Sequence, residues 1–220
     1  MAHRDYWFGI STANYGVYLW GPTIVAMLLK IPVRDAAHLF IFVALTGITG
    51  KTIFSFLPQW LGRRLCGQLA GVGIGVMLGL AGIFHDAFLG TIPLFVVLLA
   101  AGALFFDGGY SNLSPYTAEI FPVKLAARAV GLGQAANGLG KIAGPLSLAL
   151  IAGADNLVAP QATTDAVMPA FLFLAGCGFA VAIAFTLVPI ETHGTPLRLG
   201  DEEPSVSPAP SPSASIKPAA

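Results

Sequence analysis

Long apolar runs broken by short polar segments dominate the chain, and run length is what first assigns structure. A helix rises about 1.5 Å per residue, so about 20 mostly apolar residues cross a hydrocarbon core about 30 Å thick. Charge-poor windows of that length occur six times, at Tyr6–Leu29, Ala36–Leu57, Cys66–Phe84, Ala87–Asn112, Leu125–Ala154 and Ala166–Ile190. The apolar residues run continuously and lack the period-two alternation of a barrel strand, so the pattern predicts an all-α membrane protein, a bundle of six transmembrane helices. Pro58, Pro93, Pro115, Pro122 and Pro169 lie mostly near window borders, where a missing backbone donor costs least.

Composition agrees with this pattern. Hydrophobic residues make up 55% of the 220 and charged residues 10%, against about 25% charged in soluble domains. Eleven basic residues balance eleven acidic ones, which leaves no electrostatic footprint for nucleic acid. The partners to expect are the lipid bilayer and a small molecule. Cys66 and Cys177 lie far apart in apolar stretches and read as packing residues. His3, His38, His85 and His193 are scattered without metal-ligand spacing, and no catalytic constellation appears, so neither an enzyme nor a cofactor is expected.

The distribution of basic residues predicts orientation, because Lys and Arg accumulate in cytoplasmic loops. Arg4, Arg63, Arg64, Lys124, Arg128, Arg198 and Lys217 fall on one side of the six windows, and only Lys30 and Arg34 on the other. Both termini are therefore expected to be cytoplasmic in a protein of the plasma (inner) membrane. The first window is too long for a cleavable signal and has no small-residue cleavage site, so it reads as a retained span. The domain organisation expected is a six-span unit over 1–199 and a disordered cytoplasmic tail over 200–220, which is largely Pro, Ser and Ala from Pro204 onward.

Polar residues inside the windows carry the candidate chemistry, since a charge at membrane depth costs about 2.5–3.5 kcal/mol on insertion scales and is normally turned toward a cavity or a partner. Gln134, Asn137 and Lys141 repeat at i, i+3, i+7 and form one helical stripe. Ser11, Asn14 and Tyr18 repeat the same spacing in the first window, with Tyr15 beside them. The two stripes predict either a shared substrate cavity or an interhelical hydrogen-bond seam. Lys51 and Asp107 have two readings as well, an ion pair near the interface or a proton-coupling pair. Gly67, Gly71, Gly75 and Gly79, and again Gly140 and Gly144, recur every four residues and predict close helix packing.

Three motifs carry a resemblance to a known family. Tyr116-Thr-Ala-Glu-Ile-Phe-Pro122 is followed by Arg128-Ala-Val-Gly131-Leu-Gly133 and by Gly140-Lys-Ile-Ala-Gly-Pro145. Together they resemble the loop between the tenth and eleventh of the twelve spans in major facilitator superfamily transporters, most closely in the sugar and metabolite:proton symporter branch. Leu61-Gly-Arg-Arg64 resembles that family's double-arginine loop, with Ser55 and Gln59 at its usual glycine and aspartate positions. Glu191-Thr-His-Gly194 resembles the segment after the last span.

The resemblance implies the carboxyl-terminal six-helix half of that fold, carrying a small polar metabolite, a sugar or an organic acid, together with protons. It implies that Arg63, Arg64, Glu119, Arg128 and Glu191 form a cytoplasmic gate. It also implies a further partner, an amino-terminal half or a second copy, because transport runs between two halves. The alternative is a truncated, non-transporting membrane subunit or gene fragment.

Overall fold

The computed structural model describes residues 2–90, 92–153, 164–188 and 190–192. The tail expected over 200–220, and His193, Arg198 and Lys217, lie outside the described residues.

The chain folds as an all-α bundle of membrane type. Its helices are α1 (Ala2–Leu29), α2 (Val33–Phe56), the single turn α3 (Pro58–Leu61), α4 (Arg63–Ile83), α5 (Leu94–Ile120), α6 (Val123–Ala152) and α7 (Thr164–Leu187). Between α4 and α5 a short hairpin pairs β1 (Phe88–Leu89) with β2 (Ile92–Pro93). Prolines set several of the starts: Pro32, Pro93 and Pro122 stand just before α2, α5 and α6, where a missing donor is harmless. Helix α1 stops on Lys30 at φ 53, with Ile31 N donating to Ala26 O and Lys30 N to Met27 O, a paired closure that satisfies two end carbonyls.

Among the described residues five helical stretches are long and apolar enough to cross a membrane: Val33–Leu61, Arg63–Ile83, Leu94–Ile120, Val123–Ala152 and Thr164–Leu187. Helix α1 has the length, but Ser11, Thr12, Asn14, Tyr15 and Tyr18 dilute its apolar character. The largest departure from the sequence windows is α5. Hydropathy places that element at Ala87–Asn112, whereas the helix begins at Leu94 and runs on through Pro115 to Ile120. The first residues of the window are used by the hairpin. The last turns of the helix are polar because they face partners, a feature that hydropathy cannot see. Asp107, expected near the helix end, consequently sits at its middle, and Tyr116–Glu119 are helical where a loop is expected.

Packing follows the order α2, α5, α4, α7, α1, α6, each helix lying along the next. Helix α4 is central, with 61% of its apolar stretch buried, while α2 and α6 form the outer edges at 28% each. Glycine makes the closest seams. A Cβ on Gly71 would strike the backbone of Ala182 and Gly178, and one on Gly178 would strike Gly75 and Ile74. Gly140 and Gly144 admit the backbone of Phe8 and Thr12, so α1 lies against α6 nearly main chain to main chain. Gly73, Gly108 and Gly109 face Phe105, Phe54 and Ile10, which makes them packing positions.

Candidate functional site

Polar side chains gather in two places. The first lies where α1, α2, α5 and α6 approach one another. Helical periodicity turns Ser11, Asn14 and Tyr18 to one side of α1, and that side meets α5 and α6. Ser11 Oγ lies 2.6 Å from Asn137 Oδ1 and 2.7 Å from the Trp7 carbonyl, so its one proton has two acceptors. Tyr110 OH donates to Ser11 Oγ at 2.8 Å and approaches Asn137 Oδ1 at 3.3 Å. Asn137 Nδ2 in turn donates to Gln134 Oε1 at 2.8 Å. Lys141 Nζ stands 4.8 Å from the centre of the Tyr15 ring, within cation–π range.

One turn away on α5, Asp107 is 5% exposed and receives three donors. Tyr18 OH donates to Oδ2 at 2.6 Å, Asn14 Nδ2 to Oδ1 at 3.4 Å, and Lys51 Nζ pairs with Oδ1 at 3.2 Å. The carboxylate fits because Gly47 on α2 leaves its side-chain space empty: a Cβ there would collide with Asp107 Oδ2. The two partners of the ion pair differ sharply in environment. The Lys51 side chain is 52% exposed and the Asp107 side chain 7%. A buried carboxylate held by two neutral donors and one half-exposed ammonium keeps hydrogen bonds if the lysine leaves, but loses its only described counter-charge. With Lys51, Lys141 and Asp107, this face carries two cations and one anion among its described residues.

The structure thus brings together every residue of the two stripes with Lys51 and Asp107. Tyr6, Trp7, Tyr110 and Thr117 take part as well, although the sequence reading does not single them out for this site. Tyr110 joins α5 to Ser11, and Thr117 accepts from Trp7 Nε1 at 3.1 Å while sharing a hydrogen with Tyr6 OH at 2.9 Å. A signal for the α5 members was present: Asp107, Tyr110, Ser114 and Thr117 repeat at i, i+3, i+7, i+10, a third stripe obscured by the misplaced window.

The second gathering lies at the start of α4. Gly62, at φ +84, turns the chain so that the backbone N–H groups of Arg63 and Arg64 point at Glu191, donating to Oε1 at 3.0 Å and Oε2 at 3.3 Å. A carboxylate on the unpaired donors of a helix N-terminus is favoured by hydrogen bonding and by the helix dipole. A Cβ at position 62 would run into that carboxylate, so glycine is required by both conformation and space.

Arg63 Nε donates to Glu119 Oε2 at 2.6 Å, and Thr192 Oγ1 reaches the same oxygen at 2.6 Å. Arg64 points elsewhere: Nε donates to the Phe185 carbonyl at 3.1 Å and Nη2 to that of Thr186 at 2.8 Å, capping the end of α7. Asn112 Nδ2 holds the Arg63 carbonyl at 2.6 Å and Tyr116 OH that of Ile190 at 2.7 Å. Four of the five residues expected to act together therefore meet here. Arg128 stays apart on α6, exposed and with no acceptor among the described residues.

No protein-family model matches the sequence. The chain is similar to the niacin transporter NiaP of Acinetobacter baylyi, with 29% identity over 140 residues. The match covers 64% of this chain and 30% of that transporter's length.

Proposed function

We propose that this chain is a six-helix half of a membrane transporter of the major facilitator type, moving a small polar metabolite, a sugar or an organic acid, together with a proton. The observation that carries the reading is the polar face shared by α1, α2, α5 and α6, which holds two lysines, a buried carboxylate and six hydrogen-bonded polar side chains on helices otherwise suited to lipid. Such a face is expensive against hydrocarbon and calls for water, a ligand or a second helical body. Similarity to a niacin transporter supports the same class and favours an organic acid.

In this reading Ser11, Asn14, Tyr15, Tyr18, Gln134 and Asn137 line the substrate path, and Lys141 attracts the anionic group, leaving the Tyr15 ring as it does so. Asp107 exchanges the proton, and Lys51 tracks its charge. Substrate is exposed to each side in turn as this half rocks against a second one. Arg63, Arg64, Glu119 and Glu191 gate the cytoplasmic end, where both termini lie in this orientation.

Uptake of labelled niacin, aromatic acids and hexoses, driven by a pH gradient in vesicles from cells expressing the chain in its native setting, tests the proposal. Lys141→Ala is expected to lower uptake of anionic substrates at least tenfold and to spare neutral ones. Asp107→Asn is expected to abolish the response to the gradient. Unchanged uptake in both variants would remove these assignments, and no uptake above vesicles lacking the chain would remove the transport reading.

A further inference from the structure

The basic start of α6 is not absorbed by either polar gathering. Lys124 and Arg128 stand one turn apart, both exposed, with no acceptor among the described residues. Arg128 borders a recess whose other walls are Phe121, Leu125, Ala129 and Leu132. The recess surface is wholly apolar, and Leu125 and Leu132 are each about half exposed. Among the described residues, the carboxylates of the second gathering are committed elsewhere: Glu119 to Arg63 and Thr192, Glu191 to the start of α4.

Position along the helix gives the depth. The 30 residues of α6 span about 45 Å, against a hydrocarbon core of about 30 Å, so a helix centred on the core extends about a turn and a half into the headgroup layer at each end. Position around the helix separates this recess from the polar face. Arg128 and Asn137 are nine residues apart, about 180° at 100° per residue, so Arg128 faces away from the hydrogen-bonded stripe.

We infer that the recess is a binding site for an anionic phospholipid. The lipid phosphate pairs with Lys124 and Arg128, and an acyl chain lies along Leu125 and Leu132. Charge complementarity selects the occupant: two cations with no acceptor among the described residues, above an apolar wall at headgroup depth, match a molecule with a negative head and a hydrocarbon tail. A zwitterionic lipid offers the tail without the net charge.

Native mass spectrometry of the full chain in mild detergent, titrated with phosphatidylglycerol or phosphatidylcholine, reads this directly. Phosphatidylglycerol adducts are expected to form at least ten times more readily. That preference is expected to vanish in the Lys124→Ala/Arg128→Ala double variant and to persist in Arg34→Ala, which removes an exposed cation from the start of α2. Helical content by circular dichroism should match in all three proteins. Equal binding of the two lipids would overturn the inference, as would a preference that survives the double variant. Efficient disulfide crosslinking of Leu132→Cys to another protein would overturn it too, by assigning this face to a protein contact.

Discussion

The two places where charge gathers differ in what holds it. Around α4 and α7 two of the charged groups are tied to main chain, Glu191 to the amides of Arg63 and Arg64 and Arg64 to the carbonyls of Phe185 and Thr186, while Arg63 pairs with Glu119 through side chains. The helices beneath them are fitted backbone to backbone through Gly71, Gly75 and Gly178. On the polar face the charges rest on side chains alone, Lys51 on Asp107 and Lys141 over the Tyr15 ring, at the edges of helices with little cover. Main-chain partners cannot move without unwinding a helix end, whereas a lysine can leave its partner by rotating about its own bonds. Around α4 only the Arg63–Glu119 pair is free to exchange partners, as a gate requires, whereas on the polar face every charge is.

Small-residue positions give the strongest way to break this contrast. Gly71→Leu forces a branched side chain into the backbone of Ala182 and should cost about 3 kcal/mol, the upper end of ordinary overpacking. At Gly138 on α6 an added Cβ would meet nothing within 4 Å, so Gly138→Ala should instead raise stability by about 0.5–1 kcal/mol through helix propensity. Reversible unfolding in mixed micelles measures both. Equal signs would mean that the two regions are not packed differently.

Asp107 offers the next test. Replacing it with Ala leaves Tyr18 and Asn14 without their acceptor and should cost about 1–3 kcal/mol. Lys51→Ala should cost less, under about 1 kcal/mol, because the lysine side of the pair is half exposed and Asp107 keeps its donors Tyr18 and Asn14. A double-mutant cycle on the same unfolding assay checks the asymmetry. A Lys51 effect as large as that of Asp107 would make the pair a structural strut. The most local effect belongs to the helix cap, where Glu191→Ala should cost about 0.5–2 kcal/mol. Hydrogen exchange should place the added opening in the first turn of α4, and exchange spread evenly over the bundle would contradict a local cap.

The fold class was legible because lipid-compatible helices need long apolar runs, and Cys66–Phe84 and Ala166–Ile190 fall on α4 and α7. Helix α5 was the least legible element. Its final turns carry Tyr116, Thr117 and Glu119, whose polarity is answered by Ile190, Trp7 and Arg63, and a local window has no means of counting partners 50 to 110 residues away. The candidate site divides in the same manner. Spacing alone showed that Gln134, Asn137 and Lys141 share a face, since 3.6 residues per turn is a property of any helix. It could not separate Arg64 from Arg63, because both have the same charge and adjacent positions, and only the end of α7 beside α4 turns Arg64 toward carbonyls while Arg63 meets Glu119.

Local sequence by itself determined that the chain is helical, apolar and striped with polar groups, because helix period and transfer free energy act residue by residue. Which stripes meet was decided by the tertiary structure. The close approach of α1 to α6 at Gly140 and Gly144 brings Ser11 to Asn137, and the empty side-chain space of Gly47 admits Asp107 beside Lys51. Those pairings depend on the distance between helices, a quantity that arises only when the whole bundle packs.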